Sequence, residues 1–170
     1  RMVKRAFSED KNSVRASLIE AQLHLLNRNA RAAIKSLKRV EQQNSEYLPL
    51  ILDPLQQAYE IQGNIEGFIE YLRQLPDQGS LSPALKLSEQ LQSHEGDTGA
   101  LQLLSQTLRR RPSLRVLQQM LQLYGKRTPD HNELQLALAT LDKFLQDKPV
   151  YHCENCGFHS ASARRTLSGH

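Results

Sequence analysis

Asn29-Ala30-Arg31-Ala32-Ala33-Ile34-Lys35-Ser36-Leu37-Lys38-Arg39-Val40 is the stretch that decides the fold. It opens on an asparagine, a residue whose side chain caps the free amide groups of a helix start. Small Ala33, then Leu37 and Val40, fall on one helical face. The same spacing extends outward in both directions. Val14, Leu18, Ala21 and Leu25 stand at i, i+4, i+7 and i+11, and so do Leu134, Leu138, Leu141 and Leu145. Leu101, Leu104 and Leu108 keep one face, as do Leu114, Leu117 and Leu121, and so do Ile65, Phe68 or Ile69, Leu72 and Leu75. Each is an amphipathic stripe that must be buried against a neighbour. Alternating β-branched runs are absent, so the fold class is all-α, with no substantial sheet before residue 149.

The breaks between stripes recur. Helix-opening residues stand at Asn29, Asn64, Asp97 and Asp130, at intervals of 35, 33 and 33. Gly63 and Gly96, helix-ending residues, precede two of them. Turns that open the first helix of each pair are expected near Asn12, Ser45, Ser80 and Ser113. Pro54 falls inside an expected helix, where it either kinks the helix or restarts it with Asp53 as cap. Eight helices in four pairs, with a period of about 34 residues, resemble tetratricopeptide repeats. That resemblance covers residues 12–148 and implies a right-handed solenoid of about four helix pairs. Residues 1–11 then read as a tail or the end of a preceding repeat.

Charge and composition narrow the function. The net charge is +4, from 22 basic and 18 acidic residues. Residues 12–148 hold 16 basic and 15 acidic groups, so the body is nearly neutral. A nucleic-acid binder would carry a basic stripe on its folded body, so no nucleic-acid partner is expected. Arg109-Arg110-Arg111 reads as a helix C-terminus, where cations complement the macrodipole. No apolar run reaches the roughly 18 residues that span a bilayer. No carboxylate pair, Ser-His-Asp set or phosphate-cradling glycine loop stands out, and no enzymatic activity is expected. His24, His94 and His131 read as ordinary helix residues, and Tyr47, Tyr59, Tyr71 and Tyr124 as packing residues at helix junctions.

Chemistry concentrates in Val150-Tyr151-His152-Cys153-Glu154-Asn155-Cys156-Gly157-Phe158-His159. Cys153 and Cys156 are the only cysteines, in C-x-x-C spacing, with glycine and an aromatic after them. A tight turn of this kind aims two thiolates at one ion. A tetrahedral site needs four donors, and this sequence holds one such knuckle. His152, His159 or His170 could complete the set, or two copies could share one four-thiolate site in a homodimer. A second reading of the same pair is a redox-active or metal-transfer dithiol.

A degenerate array running through Leu48-Pro49-Leu50-Ile51-Leu52-Asp53-Pro54-Leu55-Gln56-Gln57-Ala58-Tyr59 and ending in Tyr151-His152-Cys153-Glu154-Asn155-Cys156-Gly157-Phe158 resembles the lipopolysaccharide assembly protein B family of Gram-negative bacteria. The resemblance spans residues 12–160. It implies cytoplasmic tetratricopeptide repeats, an inner-membrane helix ahead of them, and a C-terminal rubredoxin-like domain holding iron or zinc. It also implies a non-enzymatic adaptor that presents the lipid A pathway deacetylase to a membrane-bound AAA+ metalloprotease, with a further envelope-regulating membrane protein as partner. Cys153 and Cys156 match the ligands of the first knuckle. The sequence departs from the family pattern at both ends. It lacks the membrane helix and the second knuckle, so residues 149–160 are read as half of a metal knuckle and residues 161–170 as an atypical, disordered tail. The resemblance thus implies a C-terminal fragment, soluble and cytoplasmic by itself.

Overall fold

The computed structural model describes residues 2–76 and 79–146, together with two short strands at 152–153 and 158–159. Among them are eight α-helices: α1 (Met2–Leu26), α2 (Ala30–Gln43), α3 (Leu48–Gln62), α4 (Ile65–Gln74), α5 (Ser82–Glu95), α6 (Asp97–Arg110), α7 (Leu114–Arg127) and α8 (Asn132–Gln146). A 3-10 turn, Ser45–Tyr47, leads into α3. Strands β1 (His152–Cys153) and β2 (Phe158–His159) pair antiparallel, His152 opposite His159 and Cys153 opposite Phe158. The expected all-α class is what the structure shows. The chain forms two compact units, residues 1–87 and 88–170, dividing within α5.

In the first unit, two helix reversals use the same local chemistry. After α1 the amide of Asn29 bonds the carbonyl of His24 at 2.8 Å, and Arg28 takes the left-handed conformation at φ 56°. After α3 the amide of Asn64 bonds the carbonyl of Tyr59 at 2.9 Å, and Gly63 takes φ 67°. Both are helix stops in which a left-handed residue turns the chain so that it satisfies the last carbonyls. Glycine adopts that backbone freely, whereas arginine is strained by its Cβ. The restart is also shared. Asn29 accepts from the amide of Ala32 at 3.3 Å, and Asn64 from that of Gly67 at 3.2 Å.

These reversals fold α1 against α2 and α3 against α4, while α2 also packs on α3 and α1 touches α3. The core lies between them. Val14, Ala33, Leu37, Val40, Ile51, Leu55, Ala58 and Phe68 are all buried. Phe68 is fully enclosed, with its ring 5.8 Å from that of Tyr59. Burying one such side chain contributes about 1.5–3 kcal/mol. The start of α5 joins this unit through Lys86, whose ammonium pairs with Asp53 and lies 3.3 Å from Gln56 Oε1 on α3.

In the second unit, α6 packs on α7 and α7 on α8. Ser113 caps α7, accepting from the amides of Arg115 at 3.2 Å and Val116 at 3.4 Å. Gly125 permits the close approach of α8: a Cβ there would lie 2.5 Å from Leu138 Cδ1. Gln118 Nε2 donates to Asp142 Oδ1 at 2.7 Å, and Gln119 bonds Ser88 on α5. Ala100, Leu104, Val116 and Leu123 form the buried centre.

Four sequence expectations need correction. The turn near Asn12 is absent, because α1 runs unbroken from Met2 through that position. The cap of α6 is Gly96 at φ 94°, with Asp97 as the first helical residue. The cap expected at Asp130 is His131, whose Nδ1 accepts from the amide of Leu134 at 3.1 Å. Helix α3 does not restart at Asp53-Pro54 but continues through both. Pro54 still removes one amide donor, so the carbonyl of Leu50 loses its usual i+4 partner.

Candidate functional site

Three places in the structure could carry chemistry or recognition. The first is the cysteine pair. Cys153 ends strand β1, one register step from the His152–His159 pair, and Cys156 lies outside the described residues. The expected disordered tail, residues 161–170, lies outside them too. Two thiols in C-x-x-C spacing suit iron or zinc in type and fall short in number, because a tetrahedral site takes four donors. Among the described residues no group of three or more His, Cys, Asp or Glu side chains converges to supply the remainder.

The second place is a groove in the first unit, between α1, α2 and α3, with a volume of about 330 Å³. Its floor is apolar: Leu18 and Leu25 from α1, Leu37 from α2 and Pro54 from α3. Gln22 on α1 and Gln57 on α3 line it with carboxamides, and no lining residue is charged. Such a surface offers desolvation to an aliphatic side chain and neutral hydrogen bonds to its surroundings, and it gives an ion nothing to pair with.

In the same unit, α2 and α4 are tied by a polar cluster. Tyr71 on α4 donates its hydroxyl to Glu41 Oε2 on α2 at 2.9 Å. The Lys38 ammonium stands 5.0 Å from the Tyr71 ring centre and 5.9 Å from that of Tyr59. Burial pushes the Tyr71 phenol well above its ordinary value, and the hydrogen bond to Glu41 pushes it further. The tyrosines at 59 and 71 are thus packing residues, as the sequence suggests, and Tyr71 is also a cross-helix clasp. On α1, Glu20 accepts from Arg39 at 2.9 Å and lies 3.7 Å from His24.

The third place is an open hollow of about 550 Å³ along α8 in the second unit, where Leu136, Ala137, Thr140, Leu141 and Phe144 meet Glu133. Thr140 bonds the carbonyl of Leu136 at 2.8 Å, so its hydroxyl is already satisfied within the helix.

The apolar lining of the groove belongs to stripes that the sequence shows, but Gln22 and Gln57 were not singled out by it. Exposed glutamines on a helix look like ordinary surface, and only alignment on the two reversals shows that they correspond. Arg28 and Gly63, Asn29 and Asn64, and Gln22 and Gln57 are each 35 positions apart.

No protein-family model matches the chain. Among curated proteins, it is similar to lipopolysaccharide assembly protein B of Escherichia coli strain K12, 24% identical over 161 residues. It is also similar to the protein of that name in Haemophilus influenzae, 27% identical over 164 residues. Each alignment covers 92% of this chain and 41% of the relative. The chain therefore spans about two fifths of the length of these relatives.

Proposed function

From its homology with lipopolysaccharide assembly protein B over nearly its whole length, we propose that this chain is the partner-binding part of a non-enzymatic adaptor in lipopolysaccharide biosynthesis. In this reading the eight helices among the described residues are four degenerate tetratricopeptide-like pairs, and the partners are proteins. The adaptor presents the lipid A pathway deacetylase to a membrane-bound AAA+ metalloprotease and answers to an envelope-regulating membrane protein. It works at the cytoplasmic face of the inner membrane. No helix among the described residues is long and apolar enough to cross a bilayer, so attachment would come from outside them.

The similarity to lipopolysaccharide assembly protein B carries this reading, and the groove between α1, α2 and α3 supports its partner-binding part. Stacked helix pairs present such grooves to peptide segments of other proteins. An uncharged lining with an apolar floor suits a protein segment better than a phosphorylated or sugar-nucleotide substrate. Cys153 and Cys156 would give two thiolates to an iron or zinc ion, with the other donors supplied from elsewhere in the assembly. Such an ion would contribute folding energy, because the site does not exist in the unfolded chain.

The test is the lifetime of the deacetylase in cells of the source organism, with and without the gene. Loss of the gene should lengthen that lifetime severalfold, and replacing Leu18 and Leu25 by aspartate in the whole protein should mimic the loss. An unchanged lifetime in the deletion strain would remove the adaptor reading.

A further inference from the structure

We propose that Gln22 and Gln57 form a carboxamide pair that hydrogen-bonds the main chain of an extended, uncharged partner segment, whose aliphatic side chain enters the groove between them. This deepens the adaptor reading and rests on it. The two glutamines occupy the same position of successive first helices. They share the 35-residue offset of the left-handed stops at Arg28 and Gly63 and of the caps at Asn29 and Asn64. Both are exposed, and among the described residues neither side-chain amide has a partner. Neighbouring amides differ. Gln56 is bonded to Glu60 and Gln43 to Ser17.

A carboxamide carries both donors and an acceptor, as a peptide group does, so it can bond main chain of any sequence. Neighbouring helices stand about 8–10 Å apart. That distance is about three residues of extended chain at roughly 3.3 Å each. A segment crossing from α1 to α3 would therefore meet one carboxamide at each edge. Leu18, Leu25, Leu37 and Pro54 line the same groove as the two glutamines. With no charge in the lining, an acidic or basic residue at that point would lose its hydration without a partner.

The test uses the full chain and a synthetic probe, the end-blocked heptapeptide Ser-Thr-Ser-Leu-Ser-Thr-Ser, followed by NMR titration. The side-chain amide signals of Gln22 and Gln57 should shift on addition of peptide. Gln22→Ala and Gln57→Ala should each weaken binding about fivefold, the worth of one net hydrogen bond. Both positions are exposed and alanine favours helix, so the variants should keep the wild-type circular dichroism. N-methylating the probe's backbone should abolish binding, and replacing its leucine by glutamate should do the same. No shift of either glutamine at millimolar probe would overturn the assignment, as would equal binding of the N-methylated peptide or of either variant. The deacetylase lifetime reads the adaptor function separately. If that dependence holds while the peptide fails, only the carboxamide assignment falls.

Discussion

Replacing Tyr71 by phenylalanine removes one oxygen from the clasp between α2 and α4 and leaves everything else in place. The hydroxyl donates to Glu41 at 2.9 Å, and the ring also lies under Lys38 at 5.0 Å. Phenylalanine keeps the ring and its cation contact, so the change isolates the hydrogen bond. A bond to a charged acceptor is worth about 1.5–3 kcal/mol, and the half-buried setting places this one near the lower limit. The expected loss is therefore about 1.5 kcal/mol at neutral pH, read from urea unfolding followed by circular dichroism. The pH dependence gives a second, independent number. The unfolded phenol ionises near pH 10. The folded one holds its proton well beyond that, because burial and then Glu41 oppose the phenolate. A raised folded value means stability that is complete below pH 10 and lost as pH climbs past it. The native state then holds one proton more than the unfolded state, so stability falls by up to about 1.4 kcal/mol per pH unit. The phenylalanine variant lacks this component, and its alkaline decline should be shallower by that amount. A loss under 0.5 kcal/mol, or identical slopes above pH 10, would refute the clasp.

Three further outcomes follow from the packing, the caps and the cysteines. Phe68→Ala empties a fully enclosed site against Tyr59 and should destabilise the first unit by about 3–5 kcal/mol in the same unfolding assay. Asn64→Ala removes the acceptor for the Gly67 amide and should lower stability by about 1 kcal/mol, with no change in fold by circular dichroism. Cys153→Ser and Cys156→Ser should each bring the iron and zinc content of purified protein to background by elemental analysis. Unchanged content would locate the ion elsewhere.

Much of the helical order was legible because its causes are local. Asn29, Asn64 and Ser113 cap the helices where their side-chain chemistry places them. The misses are instructive for the same reason. Asn12 offers a cap, yet the apolar stripe through Val14 and Ala21 is buried against α2, and nothing upstream interrupts the helix. At the start of α8 a histidine imidazole does the capping, a role that residue type seldom signals. Pro54 was ambiguous in sequence because Asp53-Pro54 is a sound helix start. Burial of Ile51, Leu52 and Leu55 on one face keeps the helix continuous instead. The C-x-x-C pair, Cys153 and Cys156, was readable from residue type and spacing alone. The groove was not, since it depends on which exposed amides lie across from each other after folding.

Packing in the first unit runs mainly from each helix to the next in sequence, with α1 touching α3, Tyr71 of α4 reaching α2 and Lys86 of α5 reaching α3 as the exceptions. Its folding kinetics should reflect that. Most of the packing joins consecutive helices and closes only short loops, so little chain entropy must be lost before packing begins to compensate for it. Refolding of this unit should therefore occur on the microsecond-to-millisecond scale of low-contact-order helical proteins. The slowest step should be the pairing of α2 with α3, where the core residues of two hairpins first meet.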